Sequence, residues 1–102
     1  MGEDLNQVAK RCFYIAKNNG FYDVDFPPSH RLMEAVTELG EAMEAGRKGD
    51  HHAYAGEIID AIIILLGHLY HQGVDVGWSM GRKMDLNEGR GHLHGKSYWE
   101  DF

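Results

Sequence analysis

The sequence predicts an all-α protein: a compact four-helix bundle-like domain that pairs with further copies of itself. Three observations predict this. Apolar residues recur at three- and four-residue intervals in successive segments. Glycines or a Pro-Pro pair stand where those segments stop. No segment alternates apolar and polar residues as a half-buried strand would. The 102 residues suit one domain, 1–102, without repeat, linker or low-complexity tract.

The first helix is predicted from about Asp4 to Asn18. Leu5, Val8, Ala9, Cys12, Ile15 and Ala16 share one face, and Asn19-Gly20 stops it. Residues 21–30, FYDVDFPPSH, read as an ordered aromatic loop, because Pro27-Pro28 forbids a regular helix there. Its aromatics suit either a core or a cover over a bound ring. Ser29 is the expected N-cap of the second helix, which runs to about Ala45 and ends at Gly46. Asp50 is the expected cap of the third, which runs to about Gln72 ahead of Gly73. A fourth starts near Asp75 and weakens by Gly89.

The composition limits the function. A net charge of −6 argues against a nucleic-acid-binding surface, which requires a basic footprint. The single cysteine, Cys12, cannot form an intrachain disulfide and falls on an apolar helical face, so a packed thiol in a reducing cytoplasm is expected. The acidic start MGEDLN does not resemble a signal peptide. The longest apolar run, 61–67, is too short to span a bilayer, so no membrane partner is expected.

Chemistry concentrates on the second and third helices. Glu34, Glu38, Glu41 and Glu44 recur at intervals of four, three and three. With successive residues rotated by about 100°, Glu34, Glu38 and Glu41 cluster opposite Leu32, Val36, Leu39 and Met43. Alone, this is a solvated acidic stripe, and Glu44 is rotated away from the rest. The third helix changes the balance. GEIIDAIIILLG carries isoleucine or leucine at nearly every angle, the pattern of a buried helix, yet includes Glu57 and Asp60 three apart. Paired carboxylates on a buried helix are costly unless a cation relieves them. An antiparallel hairpin through the turn at 46–50 would bring Glu38 and Glu41 opposite Glu57 and Asp60. That all-oxygen set suits Mg²⁺, or Mn²⁺, better than zinc or copper.

His68 and His71 lie eleven residues beyond Glu57 and Asp60, roughly 16 Å along a helix axis, too far to share one ion. Their expected role is structural, at the helix C-terminus, where an imidazolium is favoured. Residues 82–98 form a locally basic segment holding Arg82, Lys83, Arg90 and Lys96. Lys83, Asn87 and Arg90 would share a face if the helix continues that far. Cations and amides near an acidic metal site are what a polyphosphate requires. A solvated basic tail balancing an acidic body is the alternative.

Together these residues resemble the MazG-like family of all-α nucleotide pyrophosphohydrolases, as a short single-domain member. The family pattern of Glu-x-x-Glu, a gap and Glu-x-x-Asp appears as ELGE at 38–41, fifteen intervening residues, and EIID at 57–60. Lys83 and Asn87 resemble the lysine and asparagine of the following helix, and GRGHLHGK, 89–96, resembles the family's short tails. The resemblance implies Mg²⁺-dependent hydrolysis of nucleoside triphosphates to monophosphate and pyrophosphate, in a homodimer or homotetramer with its site near a subunit interface. It implies that Glu38, Glu41, Glu57 and Asp60 hold the metal, and that Glu38 also orients or deprotonates the attacking water. Lys83, Arg90 and Lys96 would carry phosphate charge, and Asn87 would hydrogen-bond a phosphate or sugar oxygen. Nucleotide-pool house-cleaning is the implied role. Related helical folds act on dUTP/dUDP or phosphoribosyl-ATP, and a non-catalytic oligomerisation module would also account for the helices.

Overall fold

The computed structural model describes residues 4–25 and 27–90, at Arg90 for the backbone only. Among these residues the chain forms four helices and no strand: α1 Leu5–Asn18, α2 Pro28–Arg47, α3 His51–His71 and α4 Val76–Arg90. The all-α expectation is met, and each helix lies within a few residues of its predicted span.

The start of α1 is a capping box. The Asp4 carboxylate accepts from the Gln7 backbone N–H at 2.9 Å, and the Gln7 side chain accepts from the Asp4 N–H at 3.3 Å. α3 starts on Asp50, which accepts from the Ala53 N–H at 3.0 Å, as its sequence position suggested. Gly49 and Gly73 supply the positive φ values of 76° and 79° that the turns on either side of α3 require. Ser29 is not the cap of α2. Pro27 holds the N-cap position in extended backbone, and the helix begins at Pro28. A proline in the first turn loses no hydrogen bond, because that turn's N–H groups have no intrahelical acceptor, so Pro-Pro opens this helix two residues earlier than a serine cap would.

α3 is the central element. It pairs most extensively with α2, to which three residues connect it, and next with α1. α4 touches α1 and α3 only lightly. Its first turn is fastened to α1 by Asn6, which donates to Asp75 Oδ1 at 3.0 Å and accepts from the Gly77 N–H at 2.9 Å. The α1–α3 crossing is close because its residues are small. Ala9, Cys12 and Ala16 face it from α1, and Gly67 lies so near that an added Cβ would stand 3.1 Å from the Phe13 nitrogen and 3.2–3.3 Å from backbone atoms of Cys12.

The hairpin pairing accounts for the exposed face of α2, whereas the expectation for α3 is reversed. The Leu32–Val36–Leu39–Met43 face of α2 points outward, 43–64% exposed, while Arg31, Ala35 and Ala42 are buried. α2 therefore meets α3 through its small residues and the edge of its acidic stripe. α3 is not buried all round either, since Ile59, Ile62, Ile63, Leu65 and Leu69 remain exposed. The radius of gyration is 15.7 Å, against about 13 Å for a compact domain of 100 residues. The bundle is open rather than compact. Taken over its full length, α3 also meets the length and composition required of a membrane-crossing helix, a test that the shorter run 61–67 alone did not suggest.

Candidate functional site

The α2–α3 hairpin determines the site. Three-residue spacing places Glu38 and Glu41 on one side of α2, and the antiparallel return through Lys48–Asp50 brings the N-terminal half of α3 beside them. One carboxylate oxygen each from Glu38, Glu41 and Glu57 lies within 4.8 Å of the others. Asp60 is not in this trio. It lies one turn further along α3 and lines a cavity of about 490 Å³ with Glu34, Glu38, Thr37 and Arg31, closed on its apolar side by Cys12, Ile15, Ile63 and Ile64.

The crowding is expressed in the protonation of Glu38. Partial burial, then hydrogen bonding with Glu41 and Glu57, then repulsion from their charges, push its carboxyl up to about 7 from an ordinary 4.5. Three carboxylates sharing so small a space hold a proton where a cation would remove the need for one. An all-oxygen donor set of this kind fits a hard divalent ion of the magnesium type. Glu34, expected on the same face, is instead ion-paired with Arg31. Glu44 pairs with Arg47 and, at 3.8 Å, with Lys48, away from the trio.

Lys83 and Asn87 lie on α4, one turn apart as expected, with Lys83 half-buried and Asn87 exposed. α4 makes its contacts with α1 and α3 and does not pack extensively on α2. The Arg90 side chain and Lys96 lie outside the described residues, as do His92 and His94. Cys12 is buried, as its place on the apolar face of α1 suggested.

Of the two histidines near the end of α3, His68 departs from expectation in its charge. His68 is 8% exposed. Burial, then His71 and Arg31, hold its imidazole below the usual histidine value, so the neutral ring is favoured rather than the imidazolium expected at a helix C-terminus. His71 stacks on Phe13 at 5.3 Å with 13° between the rings, and meets Tyr22 at 4.6 Å.

A second cavity, about 320 Å³, opens between the aromatic loop and the C-terminal end of α3, and shares Phe21 and Arg31 with the first. Arg31 was not singled out from the sequence. Its guanidinium lies 5.3 Å from the Phe21 ring centroid and 5.4 Å from that of Tyr22. The available signal was its position one turn before Ala35 on the small-residue face that α2 turns inward.

No family model matches the chain, no curated protein matches it, and no solved structure matches it. The site stands on its own geometry and on the chemistry of its side chains.

Proposed function

We propose that the protein is a Mg²⁺-dependent pyrophosphohydrolase of nucleoside triphosphates, acting in the cytoplasm as a homodimer or homotetramer. The observation that carries this reading is the convergence of Glu38, Glu41 and Glu57, from two helices, to within 4.8 Å beside a cavity of about 490 Å³. Asp60, on the wall of the same cavity, would complete the ligand set. Bound magnesium, or manganese in its place, would neutralise charge on the substrate's phosphate oxygens.

The chain's own residues supply the rest. Glu38, ionised once the cation relieves its crowding with Glu41 and Glu57, would orient a water molecule and accept its proton. The water oxygen bonds to the α-phosphorus, the bond from that phosphorus to the oxygen bridging to the β-phosphate breaks, and pyrophosphate leaves with that oxygen. Lys83, Arg90 and Lys96 balance phosphate charge, and Asn87 hydrogen-bonds a phosphate or sugar oxygen. Phosphoryl chemistry asks a protein mainly for such positioning and charge, with no serine or cysteine nucleophile.

Pyrophosphate release from a panel of ribo- and deoxynucleoside triphosphates with Mg²⁺, extended to dUDP and phosphoribosyl-ATP, tests the proposal. Release from at least one compound is expected, and Glu57→Gln is expected to lower it at least a hundredfold. Absence of release from all of them, or full activity in Glu57→Gln, overturns the reading. The outward apolar faces of α2 and α3 favour a second reading, a helical association module without catalysis. That reading gains if Mg²⁺ does not bind in the presence of a non-hydrolysable triphosphate analogue.

A further inference from the structure

α4 is secured at one end only. It touches α1 and α3 lightly, and Val76, in its first turn, is its one buried residue among those described. Trp78, Met80 and Met84, further along, are exposed. Residues 72–75 connect it to α3. What directs the helix must therefore act at its first turn.

The first N–H groups of a helix have no acceptor within it. In α4 one is met locally, since Asp75 Oδ1 accepts from the Trp78 N–H at 3.0 Å. The Gly77 N–H is met from another helix, by Asn6 Oδ1 of α1 at 2.9 Å. The same Asn6 amide donates through Nδ2 to Asp75 Oδ1 at 3.0 Å. A side-chain amide has an accepting end and a donating end, and Asn6 spends both on the start of α4. Two simultaneous bonds fix the direction in which α4 leaves α1, which one bond could not do. Asn6, then the Trp78 N–H, hold the Asp75 carboxyl below its usual range, so the acceptor stays charged. Asn6 itself lies in the first turn of α1, which the Asp4–Gln7 capping box holds in place.

A helix gripped at one end is a lever. Lys83 and Asn87 follow Val76 by seven and eleven residues, about 10 and 16 Å along the axis. A tilt of about 10° at the first turn carries Asn87 roughly 3 Å sideways, and misplacement by about 1 Å can cost a reaction two orders of magnitude. We propose that Asn6 is a positioning residue: by gripping Asp75 and the Gly77 N–H together, it sets where Lys83 and Asn87 stand relative to the glutamate trio. Asn6 lines neither of the two cavities beside α2, so it acts through α4 and not on a bound molecule. The grip follows from the hydrogen bonds alone. Its use at the trio rests on the proposed hydrolase reading.

The test pairs hydrogen exchange with kinetics on the full chain. In Asn6→Ala, with helicity checked by circular dichroism, amide protection across α4 is expected to fall about tenfold, while the α2–α3 hairpin keeps its own. The kcat/KM for pyrophosphate release is expected to fall about tenfold, with the loss on KM, because Lys83 and Asn87 hold phosphate in the ground and transition states alike. Asn6→Asp keeps the acceptor for the Gly77 N–H but sets a carboxylate against Asp75, and is expected to release α4 at least as far. In a Lys83→Ala, Asn87→Ala background Asn6→Ala is expected to lose most of its kinetic effect, since little then remains on α4 to position. A full, additive effect in that background would mean that Asn6 only stabilises the fold, and overturns the inference. So does unchanged α4 protection in both Asn6 variants, or a loss confined to kcat. If α4 loosens as expected but the wild type releases no pyrophosphate from any nucleotide, the hydrolase reading fails and the positioning role with it, while the grip stands. Hydrolysis with an unaltered α4 removes the grip and leaves the hydrolase.

Discussion

Glu38 lies between two other carboxylates, and this position determines how the protein responds to pH. Its carboxyl is pushed up to about 7 in the folded chain from an ordinary 4.5, by partial burial and by Glu41 and Glu57. The folded state therefore keeps a proton that the unfolded chain has released. The stability linked to that proton is fully present below about pH 4.5 and is lost as pH rises through 7. Thermal melting in chelator from pH 4.5 to 8 is expected to show this loss, and Glu38→Gln is expected to lack it. Millimolar Mg²⁺ is expected to restore the wild type above pH 7, because the cation takes over the role of the proton. Identical pH slopes for wild type and Glu38→Gln would exclude the crowded trio. The spacing of the carboxylates was legible in the sequence. The shifted protonation was not, because it depends on how near two helices bring three side chains.

At the scale of elements, the α1–α3 crossing depends on small residues. Gly67 is packed against α1 backbone rather than against a flexible side chain, so that backbone cannot easily yield to a methyl group. Gly67→Ala gains helix propensity but is expected to destabilise the protein by about 1–3 kcal/mol through overpacking, measured by urea unfolding. A neutral or stabilised variant would show that the crossing is looser than described. Helix existence was readable from apolar periodicity and stop signals, since both act within a few residues. The face each helix turns inward was not. The wheel of α2 placed Leu32, Val36, Leu39 and Met43 on its apolar side, yet Arg31, Ala35 and Ala42 pack inward. A small-residue face permits close approach of two helices, a gain that hydrophobicity along a single helix does not register.

For the whole molecule, the consequence is a large uncovered apolar surface. Outward residues of α2 and exposed isoleucines and leucines of α3 leave much of the hydrophobic material of a 102-residue chain in contact with water. Contiguous exposed apolar surface on soluble proteins marks interaction sites. A second copy of the chain is the partner that the family resemblance implies. Light scattering at micromolar concentration, without detergent, is expected to give a dimer or tetramer, and Val36→Glu with Leu39→Glu is expected to shift it to monomer. A wild-type monomer in that buffer, or solubility only in detergent, contradicts the expectation. The second outcome would direct attention to α3, which has the length and composition to enter a bilayer despite carrying Glu57 and Asp60.

The sequence by itself determined that this protein is helical, where its four helices begin and end to within a few residues, and that carboxylates recur in register on the second and third. Those properties arise from local forces: side-chain periodicity, caps, glycine and proline. Only the tertiary structure decided that Glu38, Glu41 and Glu57 come together while Asp60 lies on the adjoining wall. It also decided that α2 turns its alanines inward, and that Arg31, Tyr22 and His68 meet around a second cavity. These outcomes depend on bringing together residues far apart in the chain, such as Tyr22 and His68, forty-six positions apart on the lining of one cavity. Their geometry is set by how closely small side chains allow two helix backbones to approach.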